Sequence, residues 1–150
     1  MAVGAGTLAI AFTAEYGFGL EPCILCLTQR VPFGLALLCG LGAFFLPALR
    51  WQLVALAGLG LLVNSGIAVY HVGIEQHWWA SVTGCSSGGD SLSFSEMKKS
   101  LSKKTLKSCD EVDWTLLGIS MAAYNIFYSF SLGAGTLYAA CLLKPTAEKQ

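Results

Sequence analysis

The chain has 150 residues, enough for one domain, and its composition differs from that of a soluble protein. Hydrophobic residues make up 55% of it and charged residues only 12%, whereas a soluble globular chain carries about 25% charged residues. The mean hydropathy is +0.62. The formal net charge is zero, which argues against a nucleic-acid partner.

Four apolar stretches account for this composition, at about residues 3–20, 27–49, 51–72 and 114–143. A helix needs about 20 apolar residues to cross a bilayer, and a chain of 150 residues cannot bury four such helices in a soluble core. We therefore predict an all-α fold, an integral membrane four-helix bundle in which residues 1–150 form a single domain. The first stretch is interpreted as a span and not as a cleaved leader, because no basic segment precedes it and the next span follows almost at once. Glu15 within it is tolerable only near an interface.

Two polar links, at about residues 19–26 and 73–113, fall on one side of the predicted bundle, opposite both termini. The longer link contains Ser93 and Glu96 at the spacing of a capping box. Apolar residues then recur at helical intervals among lysines, which predicts a short helix lying flat on the membrane surface. A soluble helix packed on its own loop explains the same pattern.

The six cysteines fall into two groups. Two lie within apolar spans, Cys39 and Cys141, and are interpreted as structural, because a lone cysteine in a span usually behaves as a small hydrophobic residue. The other four belong to the two links and are the candidate catalytic residues: Cys23, Cys26, Cys85 and Cys109.

The first link ends in a C-x-x-C motif formed by Cys23 and Cys26, a spacing that is commonly redox-active. Cys26 is expected near the positive N-terminal end of the second helix, which favours a thiolate. Arg30 follows four residues later and shares its helical face. The guanidinium could hold a thiolate or a ligand oxygen, or it could simply extend to the lipid headgroups.

The second pair, Cys85 and Cys109, encloses 23 residues rich in Ser, Gly and Lys. A disulfide there is either exchangeable or a structural clamp. A zinc site built from all four cysteines is a third alternative, but Cys85 and Cys109 form no second knuckle, so we expect no metal. Two cysteine pairs on one side favour an oxidising compartment.

The distribution of basic residues does not settle which side of the membrane the two links face. Arg50 and the tail lysines favour cytoplasmic termini under the positive-inside rule, whereas the longer link holds five lysines on the opposite side. The cysteines decide the prediction: both links face away from the cytoplasm.

Three segments together resemble the DsbB family, the bacterial disulfide bond formation protein B. They are the P-C-x-L-C-x-x-x-R pattern at residues 22–30, "YHVGIEQHWWASVTGC" at 70–85 and "SCDEVDWTLLGISMAAYN" at 108–125. The resemblance covers essentially the whole chain in the same order. Vitamin K epoxide reductases also carry two cysteine pairs in a membrane bundle, but their C-x-x-C follows the loop pair, the reverse of the order here.

The resemblance implies an oxidase of the bacterial inner membrane with its cysteine links in the periplasm. Such an enzyme re-oxidises a DsbA-like thioredoxin-fold protein and passes the electrons to a membrane quinone, ubiquinone or menaquinone. The quinone carries the redox chemistry, and the protein supplies position and charge.

The resemblance also implies residue roles. Cys85 would be attacked by the partner's thiolate, and the released Cys109 would exchange with the Cys23–Cys26 disulfide. Cys26 would then deliver electrons to the quinone, with Arg30 beside it. His71 could bond a quinone oxygen or tune a thiolate. Alternatively, His71 has no role in the chemistry and belongs to an interfacial aromatic belt with Tyr70, Trp78 and Trp79.

Overall fold

The computed structural model describes residues 2–79, 109 and 115–144. Four helices occupy most of this part of the chain: α1 (Ala2–Phe18), α2 (Ile24–Phe45), α3 (Arg50–Glu75) and α4 (Met121–Leu143). A 3-10 turn, Pro47–Leu49, leads into α3, and a small antiparallel hairpin, β1 (Thr115–Leu116) and β2 (Ile119–Ser120), leads into α4. The predicted surface helix lies outside the described residues.

Three of these helices are long and apolar enough to cross a bilayer: α2, α3 together with its preceding turn, and α4. The all-α membrane bundle predicted from the sequence is confirmed. Helix α1 has 17 residues and, at about 1.5 Å per residue, is only about 25 Å long. That α1 also crosses the membrane stays a prediction.

Helix α2 occupies residues 24–45, whereas the sequence suggested a span over 27–49. It begins earlier because Cys23 caps its first turn. It ends earlier because proline disfavours helical backbone at the residue before it, and Leu46, which precedes Pro47, has φ −121° and ψ 80°. Cys26 consequently lies in the first helical turn and not in a loop.

The start predicted for the fourth span, residue 114, is wrong for the helix, which begins at Met121. The turn between β1 and β2 is the reason. Leu117 and Gly118 both have positive φ, 53° and 80°, the backbone of a tight hairpin turn that no helix can contain. Ser120 then caps α4 by accepting a hydrogen bond from the Ala123 N–H at 3.2 Å.

Helix α3 is central, since it packs against both α2 and α4, while α1 packs on α2. Two glycines let α3 and α4 approach closely. A Cβ atom on Gly58 would lie 2.8 Å from the Leu137 side chain, and one on Gly133 would lie 2.8 Å from that of Leu62. Small residues at such crossings are typical of membrane helices, where close van der Waals packing replaces the hydrophobic effect.

Gly58→Ala should therefore destabilise the bundle by about 1–3 kcal/mol, because the added methyl group also meets the Leu137 backbone nitrogen at 3.0 Å. Thermal unfolding of the purified chain in detergent measures the effect. Gly66→Ala is the matched control in the same helix, since nothing lies within 4 Å of its Cβ position. Equal stability of the two variants would contradict the close crossing.

Candidate functional site

The C-x-x-C motif forms the N-terminus of α2. Cys23 is the N-cap residue, and its sulfur accepts a hydrogen bond from the Cys26 N–H at 3.3 Å. Its thiol in turn donates to the Cys26 sulfur, with the two Sγ atoms 3.1 Å apart. The pair is thus held as a dithiol in which Cys23 carries the shared proton and Cys26 is the acceptor.

This hydrogen bond to Cys26, together with burial, raises the pKa of Cys23 from its ordinary value of 9.0 to about 12. The hydrogen bond has the largest effect, because ionising Cys23 would remove the proton it donates. Contact with His71 acts in the opposite direction and lowers the pKa. Cys23 is therefore protonated at neutral pH.

His71, from α3, is buried against the motif and is contacted at both ring nitrogens. Its Nε2 lies 3.6 Å from the Cys23 sulfur and 3.8 Å from a carboxylate oxygen of Glu75, one helical turn away. Its Nδ1 lies 3.3 Å from Nε2 of Gln29. The imidazole is therefore fixed in place between the thiol pair and α2.

The amide of Gln29 begins a ladder of polar side chains that connects three helices inside the apolar bundle. Asn125 of α4 donates to Gln29 Oε1 at 2.8 Å, and Ser129 donates to Asn125 Oδ1 at 2.8 Å. Asn64 of α3 completes it by donating to the Ser129 hydroxyl at 2.9 Å. The ladder connects His71 to the middle of the bundle.

Cys109 lies in the same buried cluster as the C-x-x-C motif. It is 1% exposed and groups with Cys23, Leu25 and Ile74, against which Cys26 and other partly buried side chains pack. The chain thus returns from the second link to place a third cysteine beside the first pair. Cys85 lies outside the described residues.

Trp79 covers the neighbouring part of this cluster. Its ring stacks on Tyr70 with centroids 6.1 Å apart, and its Nε1 donates to the Tyr70 carbonyl oxygen at 3.1 Å. Gly73 makes this possible, because a Cβ atom there would lie 2.0 Å from the indole. Tyr70 and Trp79 are thus packed together at the edge of this cluster, while the neighbouring His71 points to the Cys23 sulfur and Gln29.

A cavity of about 440 Å³ lies among α1, α2 and α4, and Cys26, Arg30 and His71 all line it. Most of its other lining residues are apolar. Arg30 forms an ion pair with Glu15 of α1 at 2.5 Å, and its guanidinium lies 5.2 Å from the centroid of the Phe12 ring. Glu15 is therefore paired within the protein.

The structure brings most of the predicted residues together. Cys23, Cys26, Cys109 and His71 form one cluster, and Arg30 lies on the cavity that adjoins it. Cys39 is buried too, but it is not part of the cluster. It lies thirteen residues after Cys26, about 20 Å further along α2.

The sequence did not assign roles to Gln29, Asn125 and Glu75, and it left Glu15 without a partner. Each is a polar residue within or beside an apolar stretch. That property alone is a signal, since polar groups at membrane depth usually face a partner or a functional site.

Comparison with known proteins decides the family. The sequence model described as "Disulfide bond formation protein DsbB" matches residues 1–139. The chain belongs to the DsbB family. It is 33% identical over 142 residues to the disulfide bond formation protein B of Xanthomonas campestris pv. campestris, covering 90% of this chain and 83% of that relative.

Other relatives agree. The protein of the same name from Xylella fastidiosa (strain Temecula1 / ATCC 700964) is 30% identical over 139 residues, covering 85% of this chain and 78% of the relative. An uncharacterised Rickettsia prowazekii protein is 28% identical over 128 residues, covering 83% of this chain and 74% of the relative. No solved structure matches the chain. As a member of this family, the chain is a membrane oxidoreductase that acts in disulfide bond formation.

The raised pKa of Cys23 predicts the pH dependence of its alkylation. A thiol with a pKa of about 12 has roughly a thousandth of the thiolate of one with the ordinary value of 9.0 at the same pH, so Cys23 should react slowly up to about pH 10. Mass spectrometry of the reduced chain, alkylated at a series of pH values, measures the rate at each cysteine.

Cys26→Ala removes the largest cause of that shift, so the pH midpoint for alkylation of Cys23 should move down towards 9.0. The midpoint is the deciding readout, because improved access would raise the rate without moving it. An unchanged midpoint would show that the hydrogen bond to Cys26 does not hold the proton on Cys23.

Proposed function

We propose that the chain re-oxidises a periplasmic DsbA-like thioredoxin-fold protein and passes the electrons through its two cysteine pairs to a membrane quinone. One observation carries this proposal: the two sulfurs of the C-x-x-C motif face different surroundings. Cys23 is buried in the cluster that contains Cys109, while Cys26 lines the cavity. Such a pair can receive electrons on one side and deliver them on the other.

The cavity suits a quinone headgroup. Its volume of about 440 Å³ falls in the range of about 300–1,000 Å³ found for small-molecule sites. Its lining is mainly apolar. The polar groups include the Cys26 sulfur, the Arg30 guanidinium and the His71 imidazole, together with the amides of Gln29 and Asn125 and the carboxylates of Glu15 and Glu21. Arg30 could donate a hydrogen bond to a carbonyl oxygen of the ring, and His71 lines the same cavity.

The proposed electron transfer proceeds by four thiol–disulfide exchanges. The partner's thiolate attacks Cys85 of a Cys85–Cys109 disulfide, and Cys109 leaves as a thiolate. Cys109 then attacks Cys23, which breaks the Cys23–Cys26 bond and releases Cys26 as a thiolate. A second partner thiolate displaces Cys85 and completes the partner's disulfide, and Cys85 in turn displaces Cys23 from Cys109.

The first pair is then a dithiol and the second is again a disulfide. A bound quinone supplies the acceptor for the two electrons and two protons that leave when Cys23 and Cys26 close their bond again. His71 would favour ionisation of Cys23 by donating from Nε2, 3.6 Å from that sulfur, because Gln29 donates to Nδ1 and leaves the ring hydrogen on Nε2. The Cys26 sulfur is already the hydrogen-bond acceptor of the pair.

In this proposal Arg30 supplies a positive charge at the cavity, and Glu15 holds it in position. The ion pair with Glu15 fixes the guanidinium against the cavity lining, while its contact with Phe12 adds a cation–π attraction. A positive group held there would stabilise negative charge on Cys26 or on a quinone oxygen.

The proposed location is the bacterial inner membrane, with both cysteine links in the periplasm and both termini in the cytoplasm. The cysteine cluster lies at the α2 N-terminus and the α3 C-terminus. Arg50 and Lys144 lie at the opposite end of the bundle, where Lys144 Nζ is 5.9 Å from the Trp51 ring centroid. Positive residues at that end support cytoplasmic placement.

Cys26→Ala should abolish quinone reduction, because no sulfur remains at the cavity to deliver electrons. The assay supplies the purified chain with a soluble quinone and a reduced thioredoxin-fold protein and follows quinone absorbance together with partner thiols. One quinone should be consumed per dithiol oxidised. Cys39→Ala is the control and should retain near-normal turnover. Full activity without Cys26 would refute the mechanism.

Arg30→Ala should raise the KM for quinone by about tenfold or more, the effect of losing a charged hydrogen bond, while the KM for the partner changes little. The variant also leaves Glu15 unpaired, so Arg30→Ala/Glu15→Ala is measured beside it to separate loss of the charge from damage to the fold. Arg50→Ala, at the other end of the bundle, is the control. An unchanged KM for quinone in both Arg30 variants would leave Arg30 without a role at the cavity.

A further inference from the structure

Beside the redox pair, the described part of the chain holds a cluster of metal-ligand atoms. One ligand atom each from Cys23, Cys26 and His71 lies within 4.8 Å of the others. Glu75 lies outside this group, but one of its carboxylate oxygens is 3.8 Å from His71 Nε2, which makes it the candidate fourth donor. We propose that the reduced Cys23–Cys26 pair, His71 and Glu75 form a binding site for Zn²⁺.

The distances are close to those of a tetrahedral zinc centre. With Zn–S near 2.3 Å and Zn–N near 2.0–2.1 Å, such a centre separates sulfur from nitrogen by about 3.6 Å and the two sulfurs by about 3.8 Å. The Cys23 sulfur is 3.6 Å from His71 Nε2, and the two sulfurs are 3.1 Å apart. Opening the pair by less than 1 Å would give the sulfur–sulfur separation of such a centre, and the Cys26 sulfur lies within 4.8 Å of the imidazole ligand atom.

Glu75 provides the independent indication that something is bound here. Its side chain is only 6% exposed, and one oxygen lies 3.8 Å from His71 Nε2. The other oxygen, Oε2, is buried and has no hydrogen-bond partner in the part of the chain that the structure describes. A buried carboxylate oxygen without a partner is costly, and a cation at this point would satisfy it.

The tautomer of His71 can adapt to the metal. Zinc on Nε2 requires the ring hydrogen on Nδ1, so the Gln29 amide must turn over and accept it through oxygen. The polar ladder permits this turn, because Asn125 and Asn64 are also amides and the Ser129 hydroxyl both donates and accepts. Asn64 Oδ1, which has no hydrogen-bond partner among the described residues, would then accept from Ser129.

The cavity offers a route to the site, because Cys26 and His71 line it together with Glu21 and Pro22 of the first link. Binding would release the two thiol protons of Cys23 and Cys26, since thiolates are the ligand form. With both sulfurs on zinc the pair cannot close its disulfide. If the proposed electron transfer holds, zinc would therefore inhibit it, but binding itself does not depend on that function.

The test measures zinc bound by the purified full chain, with a chromophoric chelator as competitor, before and after thiol reduction. The Cys85→Ala/Cys109→Ala background leaves only the proposed ligands among the link cysteines. We expect one zinc per reduced chain and none in the oxidised chain. Co²⁺ in place of zinc should give the visible absorption of a tetrahedral thiolate site.

Variants then identify the ligands. Cys26→Ser and His71→Ala should each lose the site, and Gln29→Ala should weaken it by about 10–100-fold through the lost support of the imidazole. Cys39→Ser and His77→Ala, outside the cluster, should bind as the parent does. Loss of zinc in the Cys85→Ala/Cys109→Ala background would instead indicate a four-cysteine site and overturn the proposal. Equal binding by oxidised and reduced chains, or by His71→Ala and the parent, would also overturn it.

Discussion

A polar group inside an apolar bundle has to find its partner within the protein, because hydrocarbon offers none. This constraint explains most of the geometry around the cysteines. Gln29, His71 and Asn125 come from three different helices and satisfy one another. Glu15 and Arg30 do the same between α1 and α2. The cysteine pair is oriented by these contacts, since the imidazole that touches Cys23 is itself fixed by Gln29.

The N-terminus of α2 places the two sulfurs of the motif in different surroundings. As the cap residue, Cys23 lies outside the helix and turns towards α3 and Cys109. Three residues further on, Cys26 is within the first turn and shares a helical face with Gln29 and Arg30, so it reaches the cavity instead. The C-x-x-C spacing is therefore what allows one pair of sulfurs to face both a protein thiol and a membrane cavity.

The sequence predicted the helices well because span length and apolar composition are local properties. It placed the start of the fourth helix at 114, since apolar residues continue through a hairpin whose turn depends on two residues with positive φ. The C-x-x-C motif and the face shared by Cys26 and Arg30 were likewise readable from spacing. Which side chain pairs with Arg30 was not, because Glu15 lies fifteen positions away on another helix.

The contacts of His71 could not be predicted from the sequence either, because they are made between helices. Its position next to an aromatic cluster left an interfacial belt and a site at the thiols as alternatives, and the packing of α3 on α2 is what places its ring beside Cys23. The structure turns Tyr70 towards Trp79 and places His71 between Cys23, Glu75 and Gln29. Neighbours in sequence point in different directions on a helix, so one can join the aromatic cluster while the other faces the thiols.

The polar ladder continues these contacts between helices into the middle of the bundle. Asn64 and Ser129 are both 0% exposed, and their hydrogen bond joins α3 to α4 near the crossing that Gly58 and Gly133 permit. Each interhelical hydrogen bond in a membrane contributes only about 0.6–2 kcal/mol, so the ladder adds modestly to stability. Its larger effect is on register. Sliding α3 by one turn would unpair Asn64 and move His71 away from Cys23 at once, so the same contacts that align the helices keep the imidazole on the thiol.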